Sequence, residues 1–400
     1  MEASTELARA TLSSMSRDLD ESLQSLAAKL GITDRHMREV FQAEFGVSPV
    51  EYRQTQRLLL AKQLLSDTRL PVTSIAMASG FKSLRRFNVA LKERYRMTPT
   101  ALRKPHQAEG DSPEVTFRLA YRPPFDWERM LCFLSRRAIP GVEAVHDGAY
   151  LRTIRLSRQN KEYTGFIAVS HEAKDKTISV RLAHDLVPVC GMILDRVKRL
   201  FDLQADPIAI NAVLGRLAGS RPGLRVPGAF DGFEMAVRAI LGQQISVAGA
   251  TTLAGRFAAN FGAPLSAGVT SLKYLFPPPS RIATVTIDAI APLGIIGRRA
   301  QSIIALAQAI QRGDLLLEPG HRVQGTLRTL RQIPGIGEWT AQYIAMRGLS
   351  WPDAFPHTDL GIAKALNQKS PNKVLEMTEK WRPWRAYAAL HLWSTLEKTL

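Results

Sequence analysis

The chain has 400 residues, 45% of them hydrophobic and 22% charged, which is too long for one ordinary domain and too apolar for a disordered protein. A net charge of +17 and a pI near 10.2 point to a polyanionic partner, nucleic acid first among them. Only two cysteines occur, Cys132 and Cys190, which excludes four-cysteine zinc sites and iron–sulfur clusters and reads as buried thiols in a reducing compartment.

The N-terminus, Met-Glu-Ala-Ser, lacks the apolar core of a secretory signal, and no apolar run reaches the ~20 residues of a membrane span. A cytoplasmic protein with no membrane contact is expected. Residues 1–18 are small and polar and are expected to be flexible. Residues 19–104 carry a duplicated theme of short apolar-faced helix, glycine turn, small polar cap and second helix. One copy runs from Leu23 to Phe41 and the other from Val72 to Asn88, with a connecting helix over Glu51 to Leu65. In such a tandem helix-turn-helix the second helix enters the major groove. The residues placed there are Arg35, His36 and Arg38 in the first copy and Ser83, Arg85, Arg86 and Asn88 in the second. Arginine pairs with guanine and asparagine with adenine through two hydrogen bonds each. Lys82 to Lys104 holds eight basic residues and one acid, a supply of phosphate contacts.

Residues 20–103 resemble the AraC-type DNA-binding domain through Ser83 to Asn88 and the closing Tyr95-Arg96-Met97-Thr98-Pro99. The phrase from Arg57 to Leu65 is similar to the version in alkylation-response regulators of the methylated-DNA acceptor type. The four-cysteine zinc domain that such regulators carry has no counterpart here, so methyl-phosphotriester sensing is not assigned.

Residues 105–114 read as a polar linker. Residues 115–204 form a small α+β lobe, with strands over Val115 to Tyr121, Tyr150 to Leu156, Tyr163 to Ser170 and Thr177 to Leu182, and helices over Trp127 to Arg136 and Val187 to Phe201. Residues 205–400 are helical, with breaks at Pro222-Gly223, Pro277 to Pro279 and Pro334-Gly335. The fold class expected is multidomain and mostly α, with one α+β lobe.

Within the helical part, Pro334 blocks one helix, Gly335, Ile336 and Gly337 make a tight turn, and a second helix starts at Glu338. Free amides beside a helix N-terminus bind a phosphate oxygen without any basic side chain. Asp359 opens a later helix. It can cap that helix, or it can stabilise positive charge on a deoxyribose as a base departs and position a water.

Residues 115–398 resemble 3-methyladenine DNA glycosylase II of the helix-hairpin-helix superfamily. The resemblance rests on the hairpin, on Pro123 to Trp127, Arg199 to Leu203, Arg221 to Arg225, Ala239 to Gln243 and Trp381 to Arg385. It implies a TATA-binding-protein-like lobe followed by a helical bundle. It implies that Asp359 is the catalytic carboxylate, that Trp339, Tyr343 and Trp393 wall the base pocket, and that Phe133 and Arg137 lie nearby. Trp339 and Tyr343 are four apart and share a helix face, and aromatic faces attract a cationic alkylated base. Where relatives that also cut the strand have a lysine for a Schiff base, this sequence has Trp339, which implies base hydrolysis alone. The wedge that fills the gap left by a flipped base corresponds to Gln244 or its neighbour Ile245.

These readings converge on a monofunctional glycosylase for alkylated purines, joined to a sequence-reading DNA-binding domain. The alternative is an alkylation-response regulator whose glycosylase part is secondary or inactive. The partners expected are double-stranded DNA bearing alkylated bases and promoter DNA, engaged by a monomer. No cofactor or metal is expected beyond a structural monovalent cation at the hairpin.

Overall fold

A computed structural model describes residues 2–17, 21–103, 114–266, 268–320 and 323–396. The linker expected over 105–114 lies outside the described residues except for Glu114.

The first helix, α1 (Glu2–Arg17), occupies the stretch expected to be flexible. Leu7, Ala8, Thr11 and Met15 recur at helical spacing and are buried, and α1 packs on helices that follow it, which is what orders a stretch with so few strong signals of its own. The next six helices are α2 (Leu23–Lys29), α3 (Asp34–Phe45), α4 (Pro49–Asp67), α5 (Val72–Ala78), α6 (Leu84–Tyr95) and α7 (Pro99–Leu102). Their boundaries follow from a repeated cap. The hydroxyls of Ser22, Thr33, Ser48, Ser83 and Thr98 each accept an amide of the following first turn, satisfying donors that have no partner inside the helix. Ser48 and Glu51 complete a capping box. The two copies end alike, with Gly46 at φ 72° after α3 and Arg96 at φ 56° after α6, each followed by a hydroxyl-Pro start.

The sheet lobe contains β1 (Glu114–Ala120), α8 (Trp127–Ser135), β2 (Glu143–His146), β3 (Ala149–Arg158), β4 (Lys161–Glu172), β5 (Thr177–Ala183) and α9 (Cys190–Leu200). Its antiparallel sheet has the order β1-β5-β4-β3-β2. The short strand β2 escaped the sequence reading because four residues give too few alternations to show a period of two. Helices α10 (Pro207–Leu214), α11 (Gly232–Leu241), α12 (Val247–Phe261), α13 (Pro279–Ile282), α14 (Ile287–Ile290), α15 (Gly297–Arg312), α16 (Val323–Gln332), α17 (Glu338–Arg347), α18 (Leu360–Ala365), α19 (Pro371–Thr378) and α20 (Arg385–Leu396) complete the chain.

Three apolar cores result among the described residues. The helical region after α9 has one that also takes in Ile139 and Val142 of the sheet lobe, and α1, α2 and α3 share a small one around Met15, Leu26, Met37 and Phe41. The third joins Leu58, Leu64, Phe87 and Leu91 of α4 and α6 to Phe117, Tyr150 and Phe201 of the sheet lobe. The second helix-turn-helix unit is thus built onto the sheet lobe rather than hung from a linker. Arg158 of β3 fastens the joint by donating to the Met77, Ala78 and Pro188 carbonyls. Among the described residues no helix is long and apolar enough to cross a membrane.

Candidate active site

Helices α16 and α17 are joined by the predicted turn. Gly335 has φ 83°, a backbone conformation that calls for glycine, and a Cβ there would lie 2.3 Å from Ser302 Oγ and push that hydroxyl aside. Ser302 Oγ donates to the Pro334 carbonyl at 2.6 Å, and Gln243 Nε2 donates to the Gly335 carbonyl at 2.8 Å. These side chains tie the turn to α15 and to the end of α11. Among the described residues no group of three or more His, Cys, Asp or Glu could hold a metal. Gly337 caps α17 with no side chain on its first-turn amides, leaving them to an outside acceptor. The Glu338 carboxylate beside them is paired with Arg331 at 2.7 Å. Burial pushes that carboxyl up, but hydrogen bonds from Gln342 and Arg331 bring it below its usual range.

Asp359 caps α18 through Oδ1, which accepts the Ile362 amide at 2.9 Å. The same Oδ1 accepts Trp393 Nε1 at 2.9 Å, and Oδ2 accepts Trp339 Nε1 at 2.7 Å. Capping and a place in the cleft are therefore both true of this residue. Trp339 stacks on Tyr343 with centroids 5.1 Å apart and planes 14° apart, and Trp393 meets Tyr343 edge-on at 6.4 Å. Trp393 comes from α20, whose start is anchored by the buried Arg385–Asp353 pair at 2.7 Å.

Asp359, Trp339, Tyr343 and Trp393 share a cavity of about 320 Å³ with Phe133 and Arg137 of the sheet lobe, within the size range of small-ligand sites. Phe133 and Arg137 reach it from the end of α8. Arg238 of α11 holds that segment by donating to the Arg137 carbonyl and to Glu143, inside a buried cluster with Arg152 and Glu234. A larger hollow, about 970 Å³, opens between α5 and the β3–β4 turn, but it lacks any carboxylate–aromatic cluster.

The sequence reading missed Arg238 and Arg347 of this cavity. Arg347 donates to Tyr343 Oη at 3.1 Å and to the Pro227 and Gly228 carbonyls, and its guanidinium lies 4.8 Å from the Phe133 ring centre. Its position four residues beyond Tyr343, and eight beyond Trp339, was the available signal. Gln244 stands exposed at a loop tip with φ 56°. Its neighbour Ile245 is exposed too, and its side chain lines the cavity mouth.

In the helix-turn-helix units, Arg35, His36, Arg38, Arg85, Arg86 and Asn88 are all exposed. Arg35 and Arg38 pair with Glu39 at 2.8 Å and with Asp34 at 2.7 Å on their own helix. Ser83 turns its oxygen to the Arg86 amide at 3.3 Å, so it caps α6 as well as facing outward.

Comparison with known proteins matches residues 116–231 to the AlkA N-terminal domain, 26–105 to a helix-turn-helix domain and 237–382 to the HhH-GPD superfamily of base excision DNA repair proteins. DNA-3-methyladenine glycosylase 2 of Escherichia coli is 40% identical over 70% of this chain and 97% of its own length. The chain belongs to the AlkA-type DNA glycosylases of the HhH-GPD superfamily. A probable bifunctional transcriptional activator/DNA repair enzyme AlkA of Mycobacterium tuberculosis is 37% identical over 94% of this chain and 77% of its own length. That match spans both halves, so this glycosylase is joined to an AraC-type helix-turn-helix domain. The 3-methyladenine DNA-glycosylase of Archaeoglobus fulgidus shares the fold, with a TM-score of 0.58 at 21% identity over 70% of this chain and 97% of that one.

Proposed function

We propose that the protein hydrolyses the N-glycosidic bond of alkylated purines of the 3-methyladenine and 7-methylguanine type in double-stranded DNA. The observation that carries this is the Asp359 carboxylate at the mouth of an aromatic cavity, with both oxygens held by indole N–H groups. The damaged nucleotide leaves the stack and its base enters between Trp339, Tyr343, Trp393 and Phe133. Asp359 stabilises the oxocarbenium-like sugar. The C1′–N bond breaks with its electron pair going to the base, so a cationic base leaves neutral. Water adds its oxygen to C1′ and gives up a proton.

The free amides at Gly337 and the first turn of α17 take a phosphate. Gln244, at the loop tip outside the cavity, fills the gap in the duplex, while Ile245 walls the pocket. With Trp339 where a Schiff base would need an amine, the product is an intact abasic strand. Arg85, Arg86 and Asn88 read promoter DNA from α6, and the protein works as a monomer in the cytoplasm. The support is the exposure of those side chains and the transcriptional-activator name of the mycobacterial relative.

Incubating the full chain with methylated duplex DNA tests the reading. Free methylated bases, unbroken strands and no borohydride-trapped adduct are expected. A trapped adduct rejects the hydrolytic mechanism, and no base release rejects the reading as a whole.

A further inference from the structure

The helix-turn-helix domain is held to the glycosylase by packing and not by the covalent link alone. Helix α4 covers the outer edge of the sheet. Gln63 Nε2 donates to the Arg118 carbonyl of β1 at 3.2 Å, and Asp67 Oδ2 accepts the Arg118 amide at 3.4 Å. The same helix lies on α9, close enough that a Cβ on Gly191 would come 3.0 Å from Leu60. With the shared core and the bonds from Arg158 to the end of α5, these contacts make one close-packed body, which resists swinging of one part on the other.

That body sets each DNA-facing surface at its own depth. The cavity lies toward the C-terminal end of α11, where Arg238 and Gly242 line it, and the exposed Gln244 follows directly. A damaged duplex therefore lies across that end. At the other end of α11, Asp231 accepts from Arg196 of α9 at 3.4 Å, and Arg196 shares a hollow with Leu26 and Lys29 of α2. From Asp231 to Gly242 the helix rises ~16 Å, which puts the first helix-turn-helix unit behind the cavity. Strand β3 does the same for the second. Arg152 shares the Glu143 carboxylate with Arg238 at the cavity end, and Arg158 holds α5 ~20 Å farther along the strand. Phe81, in the turn after α5, meets Phe87 of α6 edge-on at 5.2 Å. The exposed Arg85, Arg86 and Asn88 thus belong to the end of β3 away from the cavity. To reach them, a duplex seated in the cavity would have to curl around the sheet lobe, and DNA is stiff over ~150 base pairs.

We propose that one chain bridges two separate DNA segments, holding a damaged duplex at the cavity and an undamaged one on α6, at a separation fixed by β3 and α11. The bridging rests on the glycosylase reading above and adds a second, simultaneous DNA partner to it. A chain bound through α6 keeps its cavity open, so lesions on a segment that loops close meet it at a raised effective concentration.

Two labelled duplexes of ~20 base pairs, about two helical turns each, test this. One is undamaged and selected from a random pool by binding to the full chain, and carries a donor dye. The other contains a tetrahydrofuran abasic analogue and carries an acceptor. Native mass spectrometry is expected to find one chain with both duplexes, and single-molecule energy transfer to give one narrow efficiency. Arg85→Ala combined with Arg86→Ala should weaken binding of the undamaged duplex at least about tenfold and remove the transfer. Arg158→Ala should keep both duplexes bound and broaden the transfer distribution. Displacement of either duplex by the other, a bridged complex holding two chains, or full transfer in the double variant overturns the bridging. A distribution as broad in the wild type as in Arg158→Ala overturns the fixed separation. A wild-type chain that neither binds the abasic duplex nor releases methylated bases from methylated DNA overturns the glycosylase reading itself, a result distinct from mutual displacement.

Discussion

On α6, Arg85 and Arg86 stand exposed with no acidic partner among the described residues, whereas at the α16–α17 hairpin the groups turned outward are backbone amides. The first arrangement offers DNA long side chains that can be removed one at a time. The second depends on a turn held by Ser302 and Gln243 from other elements, so it inherits its precision from the packed bundle. A surface built of side chains tolerates change in steps, and one built of backbone fails at once when the turn shifts. The same contrast separates the two helix-turn-helix units, since α3 binds its arginines to its own acids and α6 does not.

Gly335→Ala puts the sharpest strain on the comparison. It adds a Cβ 2.3 Å from Ser302 Oγ at φ 83°, and moving the turn should cut base release at least about a hundredfold. Sequence-specific binding through α6 should survive, as gel shifts with a selected operator would show. Loss of both together would mean that the halves are not independent DNA binders.

Asp202 offers a pH-dependent probe confined to the glycosylase half. Burial pushes its carboxyl up to about 6, against hydrogen bonding from Tyr387 and the charge of Arg225. An acid raised by folding contributes stability that is fully present below its unfolded value near pH ~4 and is lost as pH rises through 6. Asp202→Asn should therefore flatten this part of the pH dependence and add up to about 3 kcal/mol at pH 7. Denaturant melts at pH 5 and pH 7.5 measure it, and an equal slope in both proteins would reject the assignment.

On the other side of the comparison, Arg85→Ala should cost ~1–3 kcal/mol of operator discrimination if it reads a base. Arg35→Ala should cost less, because its guanidinium is held by Glu39. Operator titrations of the two variants compare the recognition helices directly, and equal losses would remove the distinction between them. The smallest effect is expected from Thr33→Ala, which removes the α3 cap and should lower stability by about 1 kcal/mol in the small core around Met37 and Phe41. Hydrogen exchange should report that loss in α2 and α3 and leave α17 unchanged.

Elements that carry their own punctuation were legible in the sequence. The hairpin needs glycine at position 335 beside a proline, while Gly337 sits in ordinary extended backbone with room for a side chain; the tandem units carry their hydroxyl caps, and Trp339 and Tyr343 share a face by helical spacing alone. Asp359 was legible with two uses, and the structure shows it capping α18 while also holding both indoles. Two features needed the assembled chain. Arg238 and Arg347 meet Phe133 and Arg137 where a buried ion cluster joins the sheet lobe to α11; helical spacing put Arg347 on the face of Tyr343 but did not encode its contact with Phe133. The shared core of α4, α6 and the sheet was hidden for the same reason, since an amphipathic face states that it will be covered and not by what. Helix α1 differs from the expectation because its polar composition outweighed the buried Leu7, Ala8 and Met15, which only packing makes decisive.

The account turns on one carboxylate. Asp359→Asn should be compared with the wild type in single-turnover release of methylated bases from duplex DNA at saturating, measured occupancy. The account predicts a loss of at least about a hundredfold in the rate, with DNA affinity within threefold of wild type. Release at the wild-type rate by the bound variant would contradict it.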